Sequence, residues 1–576
     1  MMISCHRLYK IIRESNELWR LKFLTRWKNF SLEKEEKDRR TWYEWTSVRL
    51  RVSIVVKQTV ETMSAIYHPM GEIPMSIWDE LIEKTKGKEH PILMFVEDEL
   101  RDLSFHQEKN EALTLSYYAS ALLDNLKRCR QLKNWQEFRT QQPSHKSLLK
   151  GAVLISLWFQ NCFLEVDVDL NHFIGLSEIE YSLESISQKV KQIFFEMENA
   201  TFTNKEFIDP IKNGRKLLDI INIVLFDEMS FHVTLVDDGY DQNLLSIDEV
   251  LETREGCPTI LCIIYYEIAR IMGIKCHPVY FGDKLLLRWQ EYSEDANSGS
   301  LFYIDVCDRG SLKHSVFYPA IIHKKPAAAV DIFQQMMHEF NQSVNEIIRT
   351  TELDYPVAPV AAFSLKRYQL DSVRLACAIT PLQIPCINEY AELCIITGID
   401  LNGAVQLLQS VGRRDDDSLI VRCKNELTKQ QEEIDAAKIP CHRLPSIKYA
   451  VGLVMNYKYE DLDEDDGVIM RSGTCVITSW DDKFKESKEW TTGKGVDNLD
   501  QPFYHILLDD DDPGLFSARS LCEETLELHP TGVSIKHNEL GNHFERFDGR
   551  KYVPNAEVRI HFPEDEAAAL AIMDGI

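Results

Sequence analysis

Along residues 1–30 apolar side chains return every three or four positions: Leu8, Ile11, Ile12, Leu18 and Trp19, then Leu21, Leu24 and Trp27. That spacing predicts helix. The charge run Ser31–Arg40 reads as an exposed turn. From about Thr41 to Met197 the helical period persists. Within Ala112–Leu132 the residues Leu113, Leu115, Tyr118, Ala121, Leu122 and Leu126 fall on one face, as in an amphipathic helix. Gly151–Val166 is apolar nearly all round, which predicts a helix buried on every side. No fixed period repeats across this region, so a helical solenoid is not supported.

Near residue 231 the pattern changes to short β-rich runs: Phe231-His-Val-Thr-Leu-Val, Pro278-Val-Tyr-Phe, Leu285-Leu-Leu-Arg-Trp and Leu301-Phe-Tyr-Ile-Asp-Val. Thr259–Met272 lies between the first two, with Pro258 before it and Gly273 after it. Proline at the start and glycine past the end delimit a helix. A helix followed by antiparallel strands predicts an α+β domain. Val330–Thr350 and Ser364–Lys438 return to helical spacing. After Pro445 short strands follow one another between Asp/Gly turns: Val451-Gly-Leu-Val-Met, Gly467-Val-Ile-Met, Thr474–Trp480 and Tyr504-His-Ile-Leu-Leu. Closing such a meander into a small β-barrel would remove its edges. The expected architecture is therefore a multi-domain α+β chain: an N-terminal piece over 1–30, a helical region over 41–200, an α+β domain over 201–350, a helical connector over 364–440 and a small β-barrel-like domain over 446–566.

Composition narrows the function classes. The 576 residues carry 65 Lys+Arg against 91 Asp+Glu, a net charge of −26. Proteins that live on phosphate backbones need the opposite balance. Charge is also uneven: residues 1–58 hold 14 basic and 7 acidic side chains, whereas 448–566 hold 13 and 26. The 14 cysteines are too sparse for a disulfide scaffold and contain no C-x-x-C pair. With no apolar signal segment at Met1–Lys10 and no apolar stretch near the roughly 20 residues that span a bilayer, a cytoplasmic or nuclear location is expected, with no membrane association. Nucleotide loops and zinc-spaced Cys/His sets are absent, so neither a cofactor nor a metal is called for.

The sharpest local feature is Arg254-Glu-Gly-Cys-Pro-Thr-Ile-Leu-Cys. Pro258 at the first helical position places Cys257 near the N-cap, where the helix dipole favours a thiolate. A cysteine at a helix start, followed by strands bearing His and Asp, is the layout of papain-like and transglutaminase-like sites. The plainer reading of Cys257 is a small core residue. The stretch from Leu244 through Ile274 resembles the SirB-type transglutaminase-like family, as do Leu286-Leu-Arg-Trp and Asp305. The resemblance implies a triad at Cys257, position 284 and Asp305, but Lys284 stands where the family has His. A lysine near pKa 10.4 is protonated and accepts no thiol proton. The resemblance thus implies a degenerate triad and a non-catalytic domain.

Val451-Gly-Leu-Val, the segment from Trp480 to Trp490, Gln501-Pro-Phe-Tyr-His-Ile-Leu-Leu-Asp-Asp, Phe544-Glu-Arg-Phe-Asp-Gly and Tyr552-Val-Pro-Asn-Ala-Glu-Val together resemble the YccV/HspQ-like family, the hemimethylated-DNA-binding-like domain. The family implies DNA or protein binding. The acidic balance of 448–566 weighs against phosphate, and the basic strip Lys483, Lys485, Lys488 and Lys494 is interleaved with Asp481, Asp482, Glu486 and Glu489. Trp480, Trp490, Phe503 and Tyr504 are the candidate partner-binding aromatics, with barrel core as their plainer role.

Cys5-His-Arg through Leu18-Trp-Arg-Leu to Arg26-Trp resembles the closing third of an F-box. That likeness implies that Leu8, Ile11, Leu18 and Trp19 face a Skp adaptor, and through it a cullin. A complete motif opens with a Leu-Pro helix and is roughly twice as long. The matched part starts inside it, and half a motif would remove much of the adaptor anchor. In combination the three resemblances imply a substrate-recognition subunit of a Skp–cullin–F-box ubiquitin ligase, not itself an enzyme. The competing expectations are a cysteine hydrolase or transglutaminase using Cys257, and a DNA-binding protein acting through its C-terminal domain.

Overall fold

The computed structural model describes residues 10–27, 40–68, 73–74, 76–85, 90–105, 112–142, 147–163, 175–198, 208–234, 242–291, 300–354, 359–463, 467–483, 501–509 and 518–574. Leu8, Trp490 and the basic residues Lys485, Lys488 and Lys494 lie outside them.

The N-terminal region is helical, as its spacing predicts: α1 (Asn16–Arg26), α2 (Trp42–Glu61), α3 (Met63–Tyr67), α4 (Ser76–Thr85), α5 (His90–Phe105) and α6 (Leu113–Thr140). A capping box starts α2: the Thr41 hydroxyl accepts from Glu44 N at 3.3 Å, and Glu44 Oε2 accepts from Thr41 N at 2.8 Å. Phe23, Trp27, Trp45, Phe95 and Leu122 share one core. Inside it sits a fully buried arginine, Arg49, held by Asp98 at 2.7 Å and Glu99 at 2.6 Å. Burying a charge costs several kcal/mol unless it is paired, and here both forks of the guanidinium are used.

The next unit begins with α7 (Leu148–Phe163), whose residues Ala152–Ile155, Trp158 and Phe159 are buried, matching the all-round apolar pattern. It continues through α8 (Leu176–Met197), α9 (Pro210–Asn222), β1 (His232–Val233), α10 (Ile247–Thr253), β2 (Glu255–Gly256) and α11 (Pro258–Ile271). The run at Phe231 supplies only two strand residues, and β1 pairs with β2 in parallel rather than antiparallel. Arg254, at φ 72°, turns the chain so that Glu255 and Gly256 come alongside. The strands β3 (Cys276–Phe281), β4 (Lys284–Glu291), β5 (Ser300–Asp305) and β6 (Ser311–His314) form a sheet of that order, antiparallel throughout. Leu285, Leu287 and Trp289 bury one face of β4 in the core that contains α11. Leu286 joins Val279, Tyr303 and Ile321 on the other. That is the period-two alternation of a strand covered on both sides.

A helical connector follows: α12 (Ala329–Asp354), α13 (Pro359–Ile379), α14 (Ile384–Thr397), α15 (Leu401–Ser410) and α16 (Ser418–Ala437). The last unit holds β7 (Val454–Asp463), β8 (Gly467–Asp481), β9 (Phe503–Leu508), β10 (Ala518–Cys522) and β11 (Leu526–Leu528) in the order β10-β9-β8-β7-β11. The small β-barrel is the expectation the structure overturns. Among the described residues no sheet closes; β10 and β11 are separate edges of an open antiparallel sheet. Closure is unnecessary because other elements cover the apolar face. They are α17 (Leu540–His543), the hairpin β12 (Phe544–Phe547) with β13 (Tyr552–Pro554), α18 (Ala556–His561) and α19 (Asp565–Asp574). Leu540, Phe544, Tyr552, Val558, Phe562 and Ala569 lie in the same core as Val454, Val476 and Ile506. This unit docks on α6: Thr114 Oγ1 donates to Phe544 O at 2.8 Å, and Tyr117 OH donates to Glu539 at 3.0 Å.

Candidate functional site

Cys257 is the N-cap of α11 with Pro258 at N1, the local geometry its sequence predicts. Its N–H donates to Leu244 O at 3.0 Å, and its side chain is buried in the main core of this unit. Lys284 opens β4 and Asp305 closes β5. The structure joins these two directly: Lys284 Nζ lies 2.6 Å from Asp305 Oδ2. Their side chains are 40% and 5% exposed, so a surface-reaching ammonium covers a buried carboxylate.

Burial of the Lys284 ammonium works to lower its pKa, but the hydrogen bond and charge of Asp305 outweigh it, with smaller help from Cys307 and Tyr318; the net shift is upward. Strand alternation places Lys284 in phase with Leu286 and Arg288, whereas Cys257 belongs to the core on the opposite face of β4. Cys262, further along α11, feels Asp305; burial first, then Cys307, Cys276 and Asp305, raise it well above the ordinary thiol range. Such a thiol stays protonated and unreactive. His277 on β3 pairs with Arg288, four residues along β4 from Lys284, whose partner on β3 is Phe281.

At the N-terminus Leu18 and Leu21 are exposed while Phe23 is fully buried. At 3.6 residues per turn Phe23 lies roughly 140° around the helix from Leu18, so α1 has an anchored side and a free apolar side. Ile11 and Ile12, in the helical residues 10–14, are exposed as well. Trp19 is half-buried: its indole meets Tyr43 edge-on at 5.1 Å and donates to Ile12 O at 2.8 Å.

In the last unit the described candidate aromatics are core. Trp480 is buried against Phe562, with ring centroids 5.2 Å apart, and donates to Asp565 at 2.8 Å. Phe503 is buried. The Tyr504 hydroxyl accepts from Lys448 N and Tyr449 N at 3.1 and 3.0 Å and donates to Glu523 at 3.0 Å. These rings are committed to packing, and Trp490 lies outside the described residues. The chain pattern gave no role to His68, His505, His543 and His561, which the fold gathers around one cavity. Nothing in their spacing could have signalled it. Among the described residues no group of three or more His, Cys, Asp or Glu could hold a metal ion, and no helix is long and apolar enough to cross a membrane.

Residues 181–343 match the transglutaminase-like superfamily, beginning inside α8. Residues 447–551 match the hemimethylated DNA-binding protein YccV like family. The chain is 27% identical to F-box only protein 21 of Pongo abelii over 98% of its own length and 87% of that protein's. It is 26% identical to the proteins of the same name from Mus musculus and Homo sapiens, over 98% of this chain and 88% of each. No solved structure matches.

Proposed function

We propose that this chain is the substrate-recognition subunit of a Skp–cullin–F-box ubiquitin ligase, holding a protein substrate near a ubiquitin-charged enzyme and performing no bond chemistry itself. The observation that carries the reading is the end-to-end likeness to F-box only protein 21, joined to the free apolar side of α1. An unpaired apolar helix face, fixed from behind by Phe23 and Trp27, suits insertion into a hydrophobic groove of an adaptor. The transglutaminase-like and YccV-like domains then present the substrate surface and raise effective concentration. The pairing of Lys284 with Asp305 supports the non-catalytic part, because a hydrogen-bonded ammonium offers no lone pair to a thiol.

Co-purification with a Skp adaptor tests it. Leu18→Asp with Leu21→Asp should abolish capture and leave the melting temperature unchanged. Retained capture by that variant, or no capture of either Skp or cullin once a complete F-box is supplied ahead of the chain, removes the reading. A thiol-reactive probe that labels Cys257 selectively at neutral pH, with the signal lost in Cys257→Ala, would instead favour a cysteine hydrolase.

A further inference from the structure

A cavity of about 270 Å³ lies where the last unit meets α3 and the end of α16. Small-molecule sites commonly enclose about 300–1,000 Å³, so this one suits a single side chain or a short aliphatic molecule rather than a nucleotide. Two carboxylates line it, Asp481 at the end of β8 and Glu557 on α18.

The histidines add acceptors. His68 Nδ1 sits 2.8 Å from Asn542 O, which can only accept; Nδ1 therefore carries the proton and, in the neutral ring, Nε2 keeps its lone pair. His561 Nδ1 lies 3.1 Å from Ile439 O. His543 is held neutral: burial, then His68 and His537, push its pKa down to about 3. His68 is also lowered, by burial first, against the opposing hydrogen bonds of Asn542. Asp481 is fixed by His505, whose Nε2 lies 3.1 Å away and whose Nδ1 meets Ser520 Oγ at 2.7 Å. The cation of the lining, Lys438, is exposed and already engaged with Asp435 at 3.0 Å. Trp480 and Phe562 are also among the lining residues. The surrounding segment 448–566, with 26 acidic against 13 basic residues, adds a field of the same sign.

We propose that this cavity binds a cationic nitrogen group, an ammonium or guanidinium on a short aliphatic chain, with Asp481 and Glu557 as its counter-charges. The chemistry is the same whether the group belongs to a free diamine or to a lysine or arginine side chain of another protein. The cavity would bind it whether or not the chain joins a ligase.

The test is calorimetric titration of the full chain with putrescine, agmatine, and the N-acetyl methylamides of lysine and arginine; pentanol and glutarate serve as neutral and anionic controls. Binding by cations, with both controls at least tenfold weaker, is expected. Asp481→Asn and Glu557→Gln, both isosteric, should each weaken it at least fivefold. Ala65→Phe, which adds bulk at a lining residue and changes no charge, should weaken it too and covers the case of a carboxylate variant that fails to fold. Tighter binding of the free amines assigns the site to a small molecule, and tighter binding of the capped amino acids to a protein side chain; both support the proposal. Absence of heat with every cation, equal binding of pentanol or glutarate, or undiminished binding in folded variants would overturn it.

Discussion

The Lys284 ammonium rests 2.6 Å from Asp305 Oδ2, so position 284, where the resemblance to transglutaminase-like proteins implies a histidine, holds the cation of an ion pair. Lys284→Ala would leave a buried carboxylate without its partner. Breaking a buried pair costs about 3–5 kcal/mol, but water screens the half-exposed lysine, and about 1–3 kcal/mol is expected. The folded-state pKa of Lys284 is raised above the ordinary 10.5, burial notwithstanding, through Asp305. Its contribution is therefore complete below pH 10.5 and is lost as pH rises through the folded value. Denaturation midpoints measured across the alkaline range should fall more steeply for the wild type than for Lys284→Ala; parallel curves would contradict this.

Arg49 ties α2 to α5 and lies over the rings of Trp27 and Phe95, at 5.2 and 5.6 Å. Replacing it with Met removes the cation between Asp98 and Glu99 and leaves two carboxylates side by side. A loss of about 3–5 kcal/mol by urea denaturation is expected. Arg49→Lys should recover only part of it, since one ammonium cannot hold both carboxylates in fork geometry.

Gly541 marks how closely α17 approaches α6. A Cβ there would stand 2.3 Å from Leu113 O and 2.4 Å from Tyr117 Cβ. The first is helix backbone and cannot give way cheaply. Gly541→Ala should cost about 1–3 kcal/mol and speed proteolysis at the junction between the last unit and the N-terminal helices. An unchanged digestion pattern would show that the docking tolerates displacement.

Asp565 accepts from Val451 N and Trp480 Nε1 at 2.8 Å each and from Arg443 at 3.1 Å. It lies beyond the matched segment 447–551, yet it closes the core of that unit. Asp565→Ala should cost about 2–4 kcal/mol, because it strands buried donors worth about 1–3 kcal/mol each. Red-shifted tryptophan emission would report the opening of Trp480.

Local signals were legible wherever chain neighbours decide the outcome. Pro258 and Gly273 bounded α11 because a missing N–H and a φ of +80° are properties of single residues. The alternating burial of β4 and the all-round burial of α7 followed from periods of 2 and 3.6. The barrel failed for the opposite reason. Strand pattern says that a face must be buried, not by what, and Val558, Phe562 and Ala569 arrive from a part of the chain that carries no strand signal.

The site divides in the same way. Sequence determined that Cys257 caps a helix and that apolar residues recur at helical spacing along residues 1–30. Only tertiary structure decided that Lys284 is spent on Asp305, that Phe23 turns inward while Leu18 and Leu21 stay free, and that Trp480 and Tyr504 serve the core. The cavity is the extreme case: His68 and Asn542 meet across 474 positions. Periodicity and capping are short-range consequences of backbone geometry, readable within a few residues. Which side chains share a cavity depends on how whole units dock, and that is set by burial summed over faces assembled from distant parts of the chain.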